Sequence, residues 1–357
     1  MPDRQEILKG ADPTLAQAGR VALEVCLAAR PQDVVTFVAD EGCLPVIASM
    51  LQAAETMGLK NQAFLLERWG KRPLGRFPSE VVAAFEKSQI TALAVAPLAG
   101  ELKARLQLLE LVPKLQLRHA HLIRVGAEAF RVGMRADYRA VDALQDRLLA
   151  VLPTAARVHV TSPGGTSLDV TFDPNHRWVK SNGLIRPGKW QNLPSGQVYT
   201  CPATVDGVYV VDKTIGDWFA SKYPDLSAFP VTLEFAGGRL RDVRSDNATL
   251  ARELFLFVRS NENGDRVGEF GVGTNPWLHF ISGEHTFDEN VPGVHLALGD
   301  PFGAETGATW TSKTRVSVIG TRMSIEADGR LLMDQGVYVP EILGDVRVSS
   351  GEPAAGG

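Results

Sequence analysis

DVVTFVA, at residues 33–39, is an apolar run of strand length, and the amphipathic stretch that follows it through Met50 and Leu51 predicts a helix. The same alternation of strand and helix continues to residue 152. Further strands are predicted at residues 62–67, 91–96 and 119–125, and further helices at residues 78–88, 102–111 and 136–152. Strands separated by helices pair in parallel through crossover connections. The sequence therefore predicts an α/β N-terminal domain with a mainly parallel sheet over residues 1–155.

The pattern changes after Pro153. Two alternating segments, residues 157–161 and 167–172, flank a Pro-Gly-Gly turn and predict a hairpin. Glycine and proline are then frequent up to residue 339. The predicted elements of this part are strands at residues 208–211, 231–235, 315–319, 323–325 and 331–333, and a helix at residues 249–257. We expect an α+β C-terminal domain with a mixed, mostly antiparallel sheet over residues 156–345, and a disordered tail over residues 346–357.

The amino-acid composition argues against some classes of binding partner. The 357 residues are 45% hydrophobic and 22% charged, which is typical of a soluble globular protein, and the formal net charge is -4. Nothing in this balance favours nucleic acid or an anionic membrane as a partner. No apolar run approaches the roughly 20 residues that cross a bilayer. The first ten residues lack the basic-then-apolar pattern of a signal peptide, so we expect a cytoplasmic protein.

Missing motifs disfavour three kinds of site. Cys26, Cys43 and Cys201 are widely spaced and form no CxxC pair, which argues against a thiolate zinc site or a redox dithiol. We expect all three to be reduced thiols in the interior. No GxGxxG or GxxxxGK[ST] motif follows a predicted strand, so a nucleotide site is also disfavoured.

The candidate functional residues lie mainly in four segments of the second half of the chain. They are NLPSGQVYTCP at residues 192–202, VGEFGVGTNP at 267–276, DENVPGVHLALG at 288–299 and TSKTRVSV at 311–318. These segments place glycine turns, acidic residues and a histidine at strand ends, where rigid sheets carry functional loops. Glu269 and His295 could bind a metal or act as an acid/base pair.

Each candidate also has a structural interpretation. A histidine inside an apolar strand, such as His295, is more often a hydrogen-bonded core residue than a ligand. The pair Asp288 and Glu289 is more typical of a solvated turn. His279 and His285 flank a loop without the spacing of a standard metal site, so surface positions are expected for both.

Four segments, taken in order, resemble the aminopeptidase T and aminopeptidase S family of two-metal, thermophilic-type aminopeptidases. They are RWVKSNGLIRPGKWQNLPSGQV at residues 177–198, GEFGVGTNP at 268–276, DENVPGVHLALG at 288–299 and ADGRLLMDQGVY at 327–338, so the similarity extends from about Trp178 to Tyr338. The resemblance implies an aminopeptidase T-like fold, a cytosolic homodimer and a metal centre in a cleft of the C-terminal domain.

The resemblance fails at most of the metal ligands that it implies. Gln197 stands where the family has its first glutamate, and Phe302 stands at the family's tyrosine. The family's His-x-Asp pair aligns with Thr314-Arg315-Val316. Glu269 and His295 match, so two of the five ligand positions remain, the tyrosine position not being counted among them. Because a catalytic zinc usually takes three protein ligands, we expect no two-metal centre and at most one weakly held divalent metal. Dihydroxypyridine dioxygenases are distant relatives of this family and use the His-x-Asp pair to bind iron. The absence of that pair here disfavours iron-dependent dioxygenase chemistry as well.

Three hypotheses follow. The first is a peptide-binding protein with a dismantled metal centre, which presents a peptide to a modifying enzyme in natural-product biosynthesis; its predicted binding residues are Gln197, Glu269, His295, Phe302, Thr314 and Arg315. The second is a repurposed enzyme that acts on a peptide or small molecule through Glu269 and His295, helped by Asp288 or Cys201, with the pKa of Glu269 raised by burial. The third is a structural subunit that pairs with an active paralogue. Aromatic residues near the altered turn that could line a cleft or pack in the core are Trp178, Trp190 and Tyr199.

Overall fold

A computed structural model describes residues 2–346, which divide into two compact units. The first unit comprises residues 2–138 and 181–195, and the second comprises residues 139–180 and 196–346. This division differs from the predicted boundary at residue 155, because the chain leaves the first unit at residue 139 and returns to it once. Residues 347–357 of the predicted disordered tail lie outside the described residues.

The strands and helices are numbered in chain order. Strands β1 to β19 are Val34–Ala39, Lys60–Leu65, Ile90–Val95, Arg118–Ile123, Val158–Thr161, Ser167–Phe172, Val179–Ser181, Lys189–Asn192, Gln197–Thr200, Pro202–Val211, Thr214–Ile215, Val231–Ala236, Arg239–Arg244, Val267–Gly273, Gly293–Gly299, Arg315–Ile319, Ser324–Ala327, Arg330–Asp334 and Val337–Tyr338. Helices α1 to α12 are Pro2–Lys9, Ala16–Val21, Leu44–Thr56, Ser79–Glu86, Leu102–Lys114, Ala127–Gly133, Tyr138–Leu149, Asp217–Lys222, Ala248–Val258, His285–Asp288, Gly303–Thr306 and Pro340–Leu343.

The first unit is built on a parallel sheet with the strand order β2-β1-β3-β4-β8. All its pairings are parallel, and every residue of β3 is buried, as expected for a strand covered on both faces. The predicted parallel α/β arrangement is therefore confirmed. The four predicted strands begin and end within two residues of the observed ones.

The second unit holds two sheets and a shared apolar core. One sheet has the order β13-β12-β10-β6-β5-β17-β18-β19, and the other has the order β11-β16-β15-β14-β9-β7. Neighbouring strands from β11 to β9 in the smaller sheet pair antiparallel, which confirms the predicted antiparallel character of this half. Tyr209 of β10 lies in the core and donates a hydrogen bond of 2.7 Å to the carbonyl oxygen of Val294 in β15.

Interior cysteines occur as predicted, since Cys26, Cys43 and Cys201 are all buried free thiols. No helix within residues 2–346 combines the length and the apolar character that crossing a membrane requires.

A buried pair of histidines in the first unit makes its stability depend on pH. His119 Nδ1 lies 2.8 Å from Thr91 Oγ1, and His119 Nε2 lies 3.3 Å from His121 Nδ1. Burial lowers the pKa of His119 to about 3 and holds the pKa of His121 well below its ordinary value, with the neighbouring His119 and Arg105 adding to the effect. Both rings are therefore neutral in the folded chain at pH values where they are protonated in the unfolded chain.

We expect the free energy of unfolding to fall as the pH drops below about 6.5, by up to about 1.4 kcal/mol per pH unit for each histidine. The sign follows because the unfolded chain binds more protons in this window. Thermal unfolding between about pH 7 and about pH 5 should show this slope, and His119→Gln should reduce it. The control is His279→Gln, which replaces an exposed histidine. An unchanged slope in His119→Gln would contradict the assignment.

Candidate active site

One face of the smaller sheet in the second unit collects the polar residues of the site. Residues directly opposite each other in antiparallel strands point to the same face. Glu269 of β14 lies opposite Ala297 of β15, which lies opposite Ser317 of β16. In the same registers, Gly271 pairs with His295, Gly299 with Arg315, and Gly273 with Gln197. Gln197, Glu269, His295, Arg315 and Ser317 therefore share one face, while alternate residues enter the apolar core.

Glu269 and His295 form the buried centre of this face. The Oε1 atom of Glu269 lies 3.2 Å from Nε2 of His295. A Cβ atom added at Gly271 would lie only 2.0 Å from that same Nε2 atom. Glycine is therefore required at this position, because any side chain would collide with the imidazole.

Arg315 supplies a cation at the site. Its Nη2 atom donates a hydrogen bond of 2.8 Å to Oε2 of Glu269, and Nη1 donates one of 2.9 Å to the carbonyl oxygen of Asp300. The guanidinium carbon lies 3.7 Å from the ring centroid of Phe302, a cation–π contact. Phe302 has a φ of 51°, and its ring lies 6.3 Å from that of Tyr199. The guanidinium is thus held between an aromatic ring and a buried carboxylate.

Glu289 is a second buried carboxylate at the site. It accepts a hydrogen bond of 2.6 Å from Oγ of Ser317 and a longer one of 3.4 Å from Nε2 of Gln197. The Oε1 atom of Gln197 is buried and has no hydrogen-bond partner within residues 2–346. An orphaned acceptor of this kind is costly unless a ligand or water donates to it.

The charge state of Glu269 differs from the expectation for a general base. Burial raises the pKa of Glu269, but the Arg315 cation and the hydrogen bond from His295 outweigh it and lower the pKa to about 2. The prediction that burial raises this pKa toward neutrality is therefore wrong. Glu269 is a carboxylate whose two oxygens are already engaged, so it is poorly suited to accept a proton.

The residues present do not fit a two-metal centre. Such a centre holds its ions about 3.5–4 Å apart and needs bridging carboxylates. Gln197 offers a neutral amide, Ser317 a hydroxyl, and Arg315 places a positive charge beside Glu269. Within residues 2–346, one group of three side chains could bind a metal ion: the donor atoms of Glu269, Glu289 and His295 lie within 4.8 Å of one another. These three could hold a single ion, and that ion would compete with Arg315 for Glu269.

Two predicted alignments need correction. Thr314 was expected at the site, yet its Oγ1 atom accepts a hydrogen bond of 3.0 Å from Nδ2 of Asn261, and Val316 lies in the apolar core. Because side chains alternate along a strand, β16 directs Arg315 and Ser317 to the site instead. Ser317 was missed, although the alternation of polar and apolar residues in RVSV could have revealed it.

Asp288 and Glu289 do not form the solvated turn that was expected, since both are buried. Asp288 accepts hydrogen bonds from Thr214 Oγ1 and from the backbone N–H groups of Ser282 and Gly283. These bonds hold the loop before β15, so that Glu289 reaches the face of the sheet. Sequence reasoning missed Glu289, although it lies in the quoted DENVPG segment.

Other candidates take structural positions. Cys201 is buried, and burial is the main reason that the pKa of its thiol rises to about 11, which excludes a ready thiolate at neutral pH. Trp178 packs edge-on against Phe172 and Phe270. Trp190 lies in the first unit. His279 is exposed, as predicted, and His285 begins α10.

A cavity of about 710 Å³ adjoins the cluster within the second unit. His295 lines its wall and is therefore shared between the cavity and the polar cluster. The rest of the lining is mainly apolar. The arrangement resembles small-molecule sites, which are mostly apolar clefts of about 300–1,000 Å³ with a few polar groups.

Comparison with known proteins agrees with this architecture. The family model described as thermophilic metalloprotease (M29) matches residues 130–325. The structure of 2,5-dihydroxypyridine dioxygenase from Pseudomonas putida KT2440 is similar with a TM-score of 0.65 at 18% identity, covering 91% of this chain and 97% of that chain. Wild-type AmpT from Thermus thermophilus is similar with a TM-score of 0.64 at 16% identity, covering 91% and 99%. No curated protein matches the sequence. At these identities the two structures establish the fold alone.

Proposed function

The chain belongs to the M29 family of thermophilic metalloproteases, and from this membership we propose that it binds a peptide at the former metal site without cleaving it. The observation that carries the proposal is the ion pair between Arg315 and Glu269. A fixed cation is bound to the carboxylate that the family's pattern assigns to a metal.

Electrostatics supports the loss of the metal pair. Two unit charges about 4 Å apart interact by about 4 kcal/mol at the effective dielectric constant near a protein surface. A divalent ion beside the Arg315 guanidinium would meet repulsion of at least this order, while the guanidinium already neutralises Glu269. A cluster that holds no metal pair would also lack the metal-bound water that serves as the nucleophile in such hydrolases.

Three features support a peptide as the ligand. The buried Oε1 atom of Gln197 is an acceptor suited to a backbone N–H group. Glu289 makes no ion pair with lysine or arginine in the described chain, so we expect it to receive a peptide amine. The adjoining cavity offers space for a side chain. Peptide recognition commonly combines backbone hydrogen bonds with such side-chain pockets.

Calorimetric titration with a library of short peptides tests this proposal. We expect binding in the micromolar range with every peptide recovered intact by mass spectrometry. Gln197→Leu should weaken binding by about two- to tenfold, because it removes one hydrogen-bond acceptor. Gln107→Leu, at an exposed position of α5, is the matched control and should leave binding unchanged. The absence of binding to any peptide at high micromolar concentration, or release of the N-terminal residue, would contradict the proposal.

A second candidate function is favoured by the group Glu269, Glu289 and His295, whose donor atoms lie close enough to share one ion. In that case the protein is a repurposed enzyme with one weakly held metal, acting on a peptide or small molecule. A stoichiometric metal, together with activity that Glu269→Gln and His295→Ala abolish, would favour this second candidate.

The wider role that we propose is presentation of the bound peptide to a modifying enzyme in peptide natural-product biosynthesis. Binding without cleavage supports this role, because it leaves the peptide intact for another enzyme. We further propose a cytoplasmic homodimer, or a pair with a paralogue, as the working assembly. The support for this assembly is the family resemblance. Size-exclusion chromatography with light scattering on the full chain tests it.

A further inference from the structure

The cavity beside His295 has an apolar interior. Its lining includes Leu278, Phe280, Ile281, Val291 and Val294. Burying an apolar group against such a wall is favourable by about 25 cal/mol for each Å² removed from water. The cavity therefore selects a ligand with an apolar group.

Two cations lie on the wall of this cavity. Lys213, in the turn between β10 and β11, is half-buried, and Arg322, in the turn after β16, is exposed. Neither side chain makes an ion pair or hydrogen bond within residues 2–346, and the exposed Asp225 attracts Lys213 only at longer range. The nearby Asp212 is engaged instead by the backbone N–H and Oγ1 of Thr321.

The other titratable groups of the cavity do not neutralise these cations. Asp288 is buried, and its oxygens accept hydrogen bonds from Thr214, Ser282 and Gly283. His295 is bound to Glu269, and His279 is exposed. The cavity thus combines apolar walls with two unpaired positive charges, which is complementary to an apolar group that carries a carboxylate.

We propose that this cavity binds the C-terminal residue of the peptide, with its apolar side chain against the interior and its carboxylate at Lys213 and Arg322. This inference rests on the proposed peptide binding and adds the end of the peptide that is recognised. The ligand is then a peptide with a free C-terminus and an apolar last residue.

The test is fluorescence anisotropy with the full chain and labelled peptides that differ only at their C-terminus. The probes are a peptide ending in leucine with a free carboxylate, the same peptide amidated, and the same peptide ending in aspartate. Octanoate, titrated directly by calorimetry, represents a free apolar acid. The variants are Lys213→Met and Arg322→Met, with Lys71→Met at an exposed position of the first unit as the matched control.

Amidation, or either substitution, should weaken binding of the leucine peptide by about tenfold, since a charge-assisted hydrogen bond is lost. Lys71→Met should bind as the wild type does. Equal binding of the free and amidated peptides, unaffected by both substitutions, would overturn this inference and leave peptide binding standing. Direct binding of octanoate that depends on Lys213, with no binding of any peptide, would overturn the peptide as the source of the carboxylate. Absence of all binding would overturn both proposals.

Discussion

Arg315→Met is expected to lower the free energy of unfolding by about 3–5 kcal/mol, because it leaves the buried Glu269 carboxylate without its cation. The ion pair is short, and Glu269 is almost completely buried. Methionine preserves much of the apolar contact with Phe302, so the change reports mainly the uncompensated charge. Chemical denaturation followed by circular dichroism measures the loss.

A double variant separates charge from packing. Arg315→Met combined with Glu269→Gln should recover most of the lost stability, because it removes the isolated charge along with its partner. Arg186→Met, at an exposed position, is the control and should change stability by less than about 0.5 kcal/mol. If Arg315→Met cost no more than this control, the guanidinium would not be the charge that stabilises the site.

Installing the ligands that the family resemblance implies should create a metal-binding site. We expect the triple variant Gln197→Glu, Arg315→His and Ser317→Asp to bind Zn²⁺ at least about a hundredfold more tightly than the wild type, since even partners outside the coordination shell change metal affinity by about 10–100-fold. Each substitution removes a positive charge or adds a negative one, so the site becomes more negative at three positions. Calorimetric titration with Zn²⁺ measures the gain, and the melting temperature should rise with added metal.

The matched control tests the register of β16. Thr314→His with Val316→Asp installs the same His-x-Asp spacing on the other face of the strand. We expect it to bind no additional metal and to destabilise the second unit, because a carboxylate replaces Val316 in the apolar core. A gain of affinity in this control, or none in the triple variant, would show that the site lies elsewhere.

Most of the fold could be predicted from the sequence, because apolar runs such as DVVTFVA and alternating segments such as residues 167–172 show patterns typical of strands. The division of the chain into two units was harder to predict from the sequence. Helix α7 has an amphipathic pattern that predicts a buried face, but the pattern does not show which of the two units that face packs in. Leu144 and Leu148 pack in the core of the second unit, although sequence order suggested the first.

The site could be predicted only in part from the sequence. Glu269 and His295 stand out because polar residues inside glycine-rich, apolar strands are unusual. Glu289 could not be recognised, since a carboxylate in a turn is normally solvated and only the loop held by Asp288 brings it inward. A linear alignment points to Thr314 and not to Ser317, because it does not register which face of the strand each side chain takes. The low pKa of Glu269 depends on Arg315, which lies 46 positions away in sequence.

The metal content of the wild-type chain, purified without chelators and measured by inductively coupled plasma mass spectrometry, tests the central claim most directly. With Arg315 bound to Glu269 and an amide at Gln197, we predict far less than one ion per chain. Two tightly held divalent ions per chain would contradict the account of a metal centre replaced by an internal cation.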